Sequence, residues 1–466
     1  MIVIPFICIG IAFLGCQLGW RYSGPQYRAP LGVYIGSYLV TTVFGATVLG
    51  LGWREGVLNF GLATMFADAT THPEYWVLLY APMAVVPVAL ILVRRDQRPS
   101  GLTRLIHKFN CDVSLGGYYC VFLLFTIYCV IYMDKFGFLR NITWAATVAG
   151  EYQALISQRV AMAGSLGTLF FGVVYTTLPT LSSVALYQTV RRRTLRWSIA
   201  FALSVATITL LSLSTIQKAP LMVYFFGCCL AFLVLGVARK LLILAVAAGL
   251  ALFSVLQLLF QSNWAPIDTL NLILFRVASS FPFYATLFPS VLPYQGSGYG
   301  LGMLGFGTRA NDNLIVFDYM YPDIKWVQGA VAAPAHMRAF AAGGYTGAVT
   351  VLLLIGLFVI LVGKVRTCIR GPLVFALYMQ GLTTMYYLTQ TSVQSVLVES
   401  YGLGFAIVAV LPLWVCSKIA PVNLERAYAR RDLDRFTTFA IPKYHRLAED
   451  ASGSGKIQFS TKYLRH

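Results

Sequence analysis

Charge is scarce in this chain. Only 11% of its 466 residues are Asp, Glu, Lys or Arg, and just 17 are acidic. A water-soluble domain needs about a quarter of its residues charged, so a soluble fold is excluded. The nine cysteines, at 8, 16, 111, 120, 129, 228, 229, 368 and 416, contain no Cys-x-x-Cys pair and join no His/Cys cluster. Neither a metal site nor a disulfide framework is therefore expected. The apolar runs lack period-two alternation, which excludes a membrane β-barrel. Their centres also lack Asp, Glu, Lys, Arg and His. Proton relays and ion pathways need such groups at membrane depth, so a coupled transporter or pump is disfavoured.

What the chain does have is grease. Apolar residues make up 58% and mean hydropathy is +0.72. In lipid every backbone N–H and C=O must be satisfied within the segment, so the spans must be helices of ~20 residues. The pattern predicts an all-α polytopic membrane protein. Spans are read at 2–20, 31–51, 76–93, 115–133, 165–187, 197–213, 219–237, 241–260, 339–362, 372–389 and 401–417, eleven in all. Residues 2–20 read as a retained first span, because no basic residue precedes them as in a cleaved signal. The chain divides into helices over 1–260, a large loop over 261–338, helices over 339–417 and a polar, basic tail over 418–466. Within the loop, 271–290 contains Arg276, Pro282 and Pro289 and reads as a re-entrant or interfacial helix.

The net charge of +18 would suit nucleic acid if it were pooled on one surface patch. Instead, alternate loops and the tail hold 26 of the 35 Lys and Arg. The positive-inside rule then puts the tail in the cytoplasm, with the N-terminus and the 261–338 loop outside. The surplus is a topology signal with attraction to anionic headgroups, and no nucleic-acid partner is expected. Residues 151–162 place Leu155, Ile156 and Arg159 at helical spacing, as an amphipathic helix in the outer headgroup layer would.

The candidate site residues lie on the outer side. Lys218, in the short turn between the spans 197–213 and 219–237, either snorkels or meets a lipid phosphate as a point charge. Arg276 sits in an apolar stretch and needs a partner, either Asp268 or a diphosphate held bidentately. Arg309 and Arg338 are further phosphate candidates. His336 precedes the ninth span, where it is either an interfacial polar group or a general base, with Asp312, Asp318 and Asp323 as rivals. Glycines recur from Gly296 to Gly307 without the Gly-Lys-Ser/Thr end of a nucleotide loop, as either a hinge or an anion nest. Tyr299 and Tyr319, with other aromatics of the loop, stack on sugar rings or sit in the interfacial belt, and Asp312 is a further glycan-contact candidate. Gly343, Gly344 and Gly347 suit close helix packing.

The layout, with Gln217-Lys218-Ala219-Pro220 in an outer turn, Arg276 followed by Ser279, Ser280 and Pro282, then Gly296-Ser297-Gly298 and Gly343-Gly344-Tyr345-Thr346-Gly347 opening a span, resembles the Wzy-type oligosaccharide repeat-unit polymerases. These are close in architecture to the O-antigen ligases. The resemblance covers the layout of residues 1–417 and rests on short motifs. It implies an inverting glycosyl transfer at the periplasmic face of a bacterial inner membrane, with no metal and no cofactor. The donor would be a glycan on undecaprenyl diphosphate and the acceptor a new lipid-linked repeat unit, with a chain-length regulator as a possible partner. It gives Lys218, Arg276 and Arg338 the diphosphate. His336 is comparable to the catalytic His of the ligases, although it stands closer to Gly344 than their spacing has it and no Asn follows. Two other readings stay open: a ligase that transfers finished glycan, and a lipid-oligosaccharide flippase.

Overall fold

The fold was described from a computed structural model, which covers residues 3–50, 72–93, 101–148, 151–217, 219–237, 273–295, 312–322, 331–397 and 402–419, with isolated positions between 243 and 254. All regular structure among these residues is helical. The order is α1 (Val3–Tyr22), α2 (Pro25–Gly50, through one π-helical turn at Leu39–Val43), α3 (Pro73–Val93), α4 (Gly101–His107), α5 (Leu115–Asp134) and α6 (Phe138–Thr147). Then come α7 (Tyr152–Gly172), a π-helical turn (Val173–Thr177), α8 (Leu178–Arg192), α9 (Leu195–Ser214) and α10 (Ala219–Val234). The chain continues with α11 (Phe281–Leu287), α12 (Asp312–Met320), α13 (Ala335–Thr367), α14 (Pro372–Tyr387), α15 (Val393–Leu397) and α16 (Leu403–Ile419).

Among the described residues seven helices are long and apolar enough to cross a membrane: Val3–Tyr22, Pro25–Gly50, Pro73–Ile91, Leu115–Asp134, Gly164–Arg192, Leu195–Ser214 and Ala335–Thr367. Ala219–Val234 and Leu403–Ile419 are shorter apolar helices. The expected span 241–260 falls almost wholly outside the described residues, as does the tail from 420. Helix starts follow local chemistry. Ser114 accepts the Gly117 N–H at the head of α5, and prolines at the first turns of α2 and α14 supply a preset φ without wasting a donor.

The Gly164–Arg192 span is the most enclosed, and α8 packs against α5, α9, α14 and α16. On the other side, α1 lies along α3, where Gly15 and Gly19 let it come within side-chain reach of Ala84 and Pro87. The outward faces are apolar: Ile7 and Ile11 on α1, Leu124 and Ile131 on α5, and Leu353 and Leu357 on α13 are exposed. Such stripes on several helices suit hydrocarbon as the solvent.

At the end of the bundle that carries the basic loops, Asp112 holds the structure together. Its carboxylate accepts from Gln188 Nε2 (2.6 Å), from the Arg192 guanidinium and from the Val113 N–H (3.0 Å). Arg192 Nε in turn donates to Gln188 Oε1 at 3.0 Å. This network ties the start of α5 to the end of α8.

Candidate functional site

The opposite end of the bundle carries the candidate site, and α13 builds it. This helix breaks at Gly343 and Gly344, where Gly344 has φ 64 and ψ −151. L-residues avoid that region, and a Cβ on Gly344 would also lie 2.9 Å from the Tyr294 phenol. The expected packing role of the pair is thus joined to a second one, a sharp bend. The bend sets residues 335–342 apart as a half-helix. The turn after α14 receives donors from the start of this half-helix: the first helical N–H, of Ala335, donates to the Leu388 carbonyl (3.1 Å), and the Ala333 N–H just before the helix to that of Gln390 (3.2 Å). Gln295 N–H donates to the Ala341 carbonyl at 2.8 Å, just ahead of the bend.

The segment expected as a re-entrant or interfacial helix contains the short α11, buried against α3, α12 and α13. Ahead of it, the backbone at Leu274 comes so close to α2 that a Cβ on Gly45 would stand 2.2 Å from the Leu274 carbonyl. Ser280 Oγ donates to the Ala332 carbonyl at 2.7 Å, which ties the segment to the strand of chain before α13.

Asp312, at the start of α12, is 1% exposed and accepts from two Arg338 nitrogens, Nε at 2.9 Å and an Nη at 3.0 Å. The Tyr284 hydroxyl donates to the same carboxylate at 2.6 Å. Burial first, and the Asp312 charge next, push the Tyr284 phenol well above its usual pKa. Arg338 is therefore committed to a carboxylate, and the expectation that it holds a diphosphate gives way to an internal ion pair. For the same reason Asp312 is not an open base or a glycan contact.

His336 is fully buried, between Tyr38 and Phe281. Its Nε2 lies 3.1 Å from the Leu78 carbonyl, and since a carbonyl only accepts, Nε2 carries the proton. The reason lies in α3. Pro82 has no N–H, so it leaves the carbonyl four residues earlier, at Leu78, without its helical donor. His336 supplies the missing donor. Pro87 does the same to Met83, whose carbonyl accepts from the Cys16 thiol at 3.3 Å. The base role expected of His336 is replaced by this structural one: a base must reach its substrate, and no part of this side chain is exposed.

Arg276 has the opposite environment. It is exposed, and its charge reaches the Tyr386 hydroxyl at the C-terminal end of α14. Tyr386 accepts from Gln390 Nε2 at 2.6 Å, and its ring stands 5.5 Å from that of Phe226 on α10. α10 begins at Ala219, directly after Lys218. Lys218 itself lies outside the described residues, as do Asp268, Tyr299, Arg309, Asp323 and the glycine run. Its neighbour Gln217 accepts from Tyr175 at 2.8 Å. Tyr319 and Asp318 are exposed on α12.

Sequence reasoning named Tyr284 only as one of the loop's aromatic faces and missed its bond to Asp312, 28 residues on; it also missed Tyr386 and Gln390. It had also missed the two carbonyls freed by Pro82 and Pro87, for which the prolines themselves were the signal. Among the described residues no group of His, Cys, Asp and Glu could hold a metal ion. No family model matches the chain, and no curated protein or solved structure shows significant similarity to it.

Proposed function

We propose that this chain is a glycosyltransferase of the Wzy type, which polymerises lipid-diphosphate-linked oligosaccharide repeat units at the outer face of a bacterial inner membrane. In this reading eleven spans put the N-terminus and the 261–338 loop in the periplasm and the tail in the cytoplasm. The observation that carries the site is Arg276, an exposed guanidinium whose charge reaches the Tyr386 hydroxyl, on the side of the chain where Lys218 is expected just ahead of α10. Two cations at headgroup level suit a diphosphate leaving group, whose charge grows as the glycosidic bond breaks. Holding two lipid-anchored substrates side by side supplies proximity. With His336 buried and Asp312 paired, Asp318 is the carboxylate of the described loop residues that solvent reaches, and we assign to it the deprotonation of the acceptor hydroxyl. Tyr319, one residue on and also exposed, offers a ring face to the glycan.

The test is reconstitution of the purified protein with a diphosphate-linked repeat unit, with product length read on a gel. The wild type yields a ladder. Lys218→Ala, Arg276→Ala and Asp318→Asn yield single repeats at unchanged protein levels. Full ladders from both cation variants would overturn the site. In cells, a deletion strain that still caps its acceptor with one repeat marks a polymerase, and one that caps nothing marks a ligase.

A further inference from the structure

Helices α1, α2 and α13 contain no acidic residue, yet arginines from all three come to one turn. Arg21 stands in the last turn of α1, Arg28 is the fourth residue of α2, and Arg366 lies in the last turn of α13. Only Ser23 and Gly24 link α1 to α2. An Arg366 Nη donates to the Pro25 carbonyl at 2.9 Å. Just before it, a Cβ on Gly363 would stand 2.2 Å from the Tyr27 ring, so the end of α13 is packed on the start of α2.

All three arginines are exposed, and among the described residues none of them meets a carboxylate. Two lie over aromatic rings: the Arg28 guanidinium is 5.8 Å from the centre of Trp20, and that of Arg21 is 5.8 Å from the centre of Tyr22. A guanidinium held by its face keeps its N–H edge free to donate. The turn holds further unmet groups. Ser23 is 5% exposed, and its Oγ has no hydrogen-bond partner. Gly24 offers no side-chain cap to the start of α2. A buried hydroxyl without a partner is costly, and an uncapped helix start presents free N–H groups. Cations, hydroxyl and helix start all ask for an anion.

We propose that this turn binds the headgroup of one acidic phospholipid, with its phosphate against Arg21, Arg28 and Arg366 and its acyl chains along α1. The helix itself selects a lipid over a free anion. Of the seven spans α1 is the least enclosed, with 17% of it buried, and Phe6, Phe13 and Leu14 are exposed on it. Trp20 and Tyr22 are exposed at its end, and such amphipathic rings mark the headgroup level. A zwitterionic lipid carries an ammonium group that three arginines repel, whereas a net negative headgroup meets only attraction. In the proposed topology the turn faces the cytoplasm, so the lipid belongs to the inner leaflet. The inference does not depend on the reading of Arg276 or on the reaction.

The experiment takes the full chain in nanodiscs of equal parts phosphatidylcholine and phosphatidylglycerol, exchanges it into detergent, and counts the lipids it keeps by native mass spectrometry. The wild type keeps phosphatidylglycerol over phosphatidylcholine by about tenfold. In Arg28→Gln/Arg366→Gln the preference falls below about twofold, with Arg21 left in place to hold the orientation of the turn. Arg193→Gln/Arg196→Gln, which removes two exposed arginines from the turn between α8 and α9, keeps the preference. Should the first pair not fold, Arg366→Gln alone carries the test and lowers the preference to about threefold. A second measurement fixes the source of the anion: phosphatidylglycerol raises the melting temperature of the detergent-solubilised protein, and inorganic phosphate leaves it unchanged. A wild type without preference, a preference that survives loss of Arg28 and Arg366, or an equal loss in the Arg193 and Arg196 variant overturns the proposal. Equal stabilisation by inorganic phosphate assigns the turn to a free anion and overturns the lipid.

Discussion

At the residue scale, the carbonyls freed by Pro82 and Pro87 explain two side chains that composition alone left unexplained. If His336 serves the Leu78 carbonyl, His336→Leu destabilises the wild type by about 1–3 kcal/mol, the cost of a buried acceptor left unmet. In a Pro82→Ala background the helix regains its own N–H, and the same change costs less than half as much. A double-mutant cycle on thermal unfolding checks this. The buried pair makes a second prediction. Asp312→Asn leaves Arg338 without its counter-charge and costs about 3–5 kcal/mol, read as a lower melting temperature of the purified protein. The Tyr284 phenol gives that cluster a pH signature. Its pKa in the fold lies above the unfolded value, so its stabilisation is whole below pH 10 and is lost as pH rises toward the folded value. Tyr284→Phe removes that part of the alkaline loss, which a pH series of melting curves would reveal. In the sequence, Arg338 and Asp312 could be recognised as polar residues of an outer loop. Their mutual pairing was not visible, because 26 positions separate them.

Elements were the most legible level. Long apolar runs dictate helices in any solvent that cannot hydrogen-bond, and α1, α3, α5, α9 and α13 stand where those runs lie. The bend in α13 was not legible, because two glycines in an apolar run satisfy both a packing role and a break. Tyr294, 50 residues earlier, decides between them by filling the space above Gly344. Gly344→Ala meets both a forbidden backbone region and that phenol, and costs about 1–3 kcal/mol. The checking measurement is thermal stability together with protease resistance of the half-helix at 335–342. A helix that merely packed closely would tolerate alanine better. α7 likewise breaks, at Gly167, between its amphipathic first part and the span that follows. The sequence had separated those two parts by polarity.

For the whole molecule, the proposed orientation rests on the distribution of charge in the sequence. In the proposed eleven-span topology most basic residues fall on one side, the side where Asp112 and Arg192 tie α5 to α8. A C-terminal fluorescent reporter is therefore expected to be active and a C-terminal periplasmic phosphatase silent; the reverse pattern would invert the topology and move Arg276 to the wrong face. The outer cluster has no counterpart in charge counting. It arises because the chain returns α11, α12 and the head of α13 to one place, a tertiary fact that local pattern does not contain.

The two prolines of α3 also set an order of assembly. Cys16 precedes Met83 in synthesis, so the first freed carbonyl finds its donor as soon as α1 and α3 meet in the bilayer. The second must wait for His336, made 258 residues after Leu78. Until then the growing chain carries an unmet acceptor inside lipid. Chains cut short before α13 lack that donor, so the Leu78 carbonyl of α3 has no His336 to meet it.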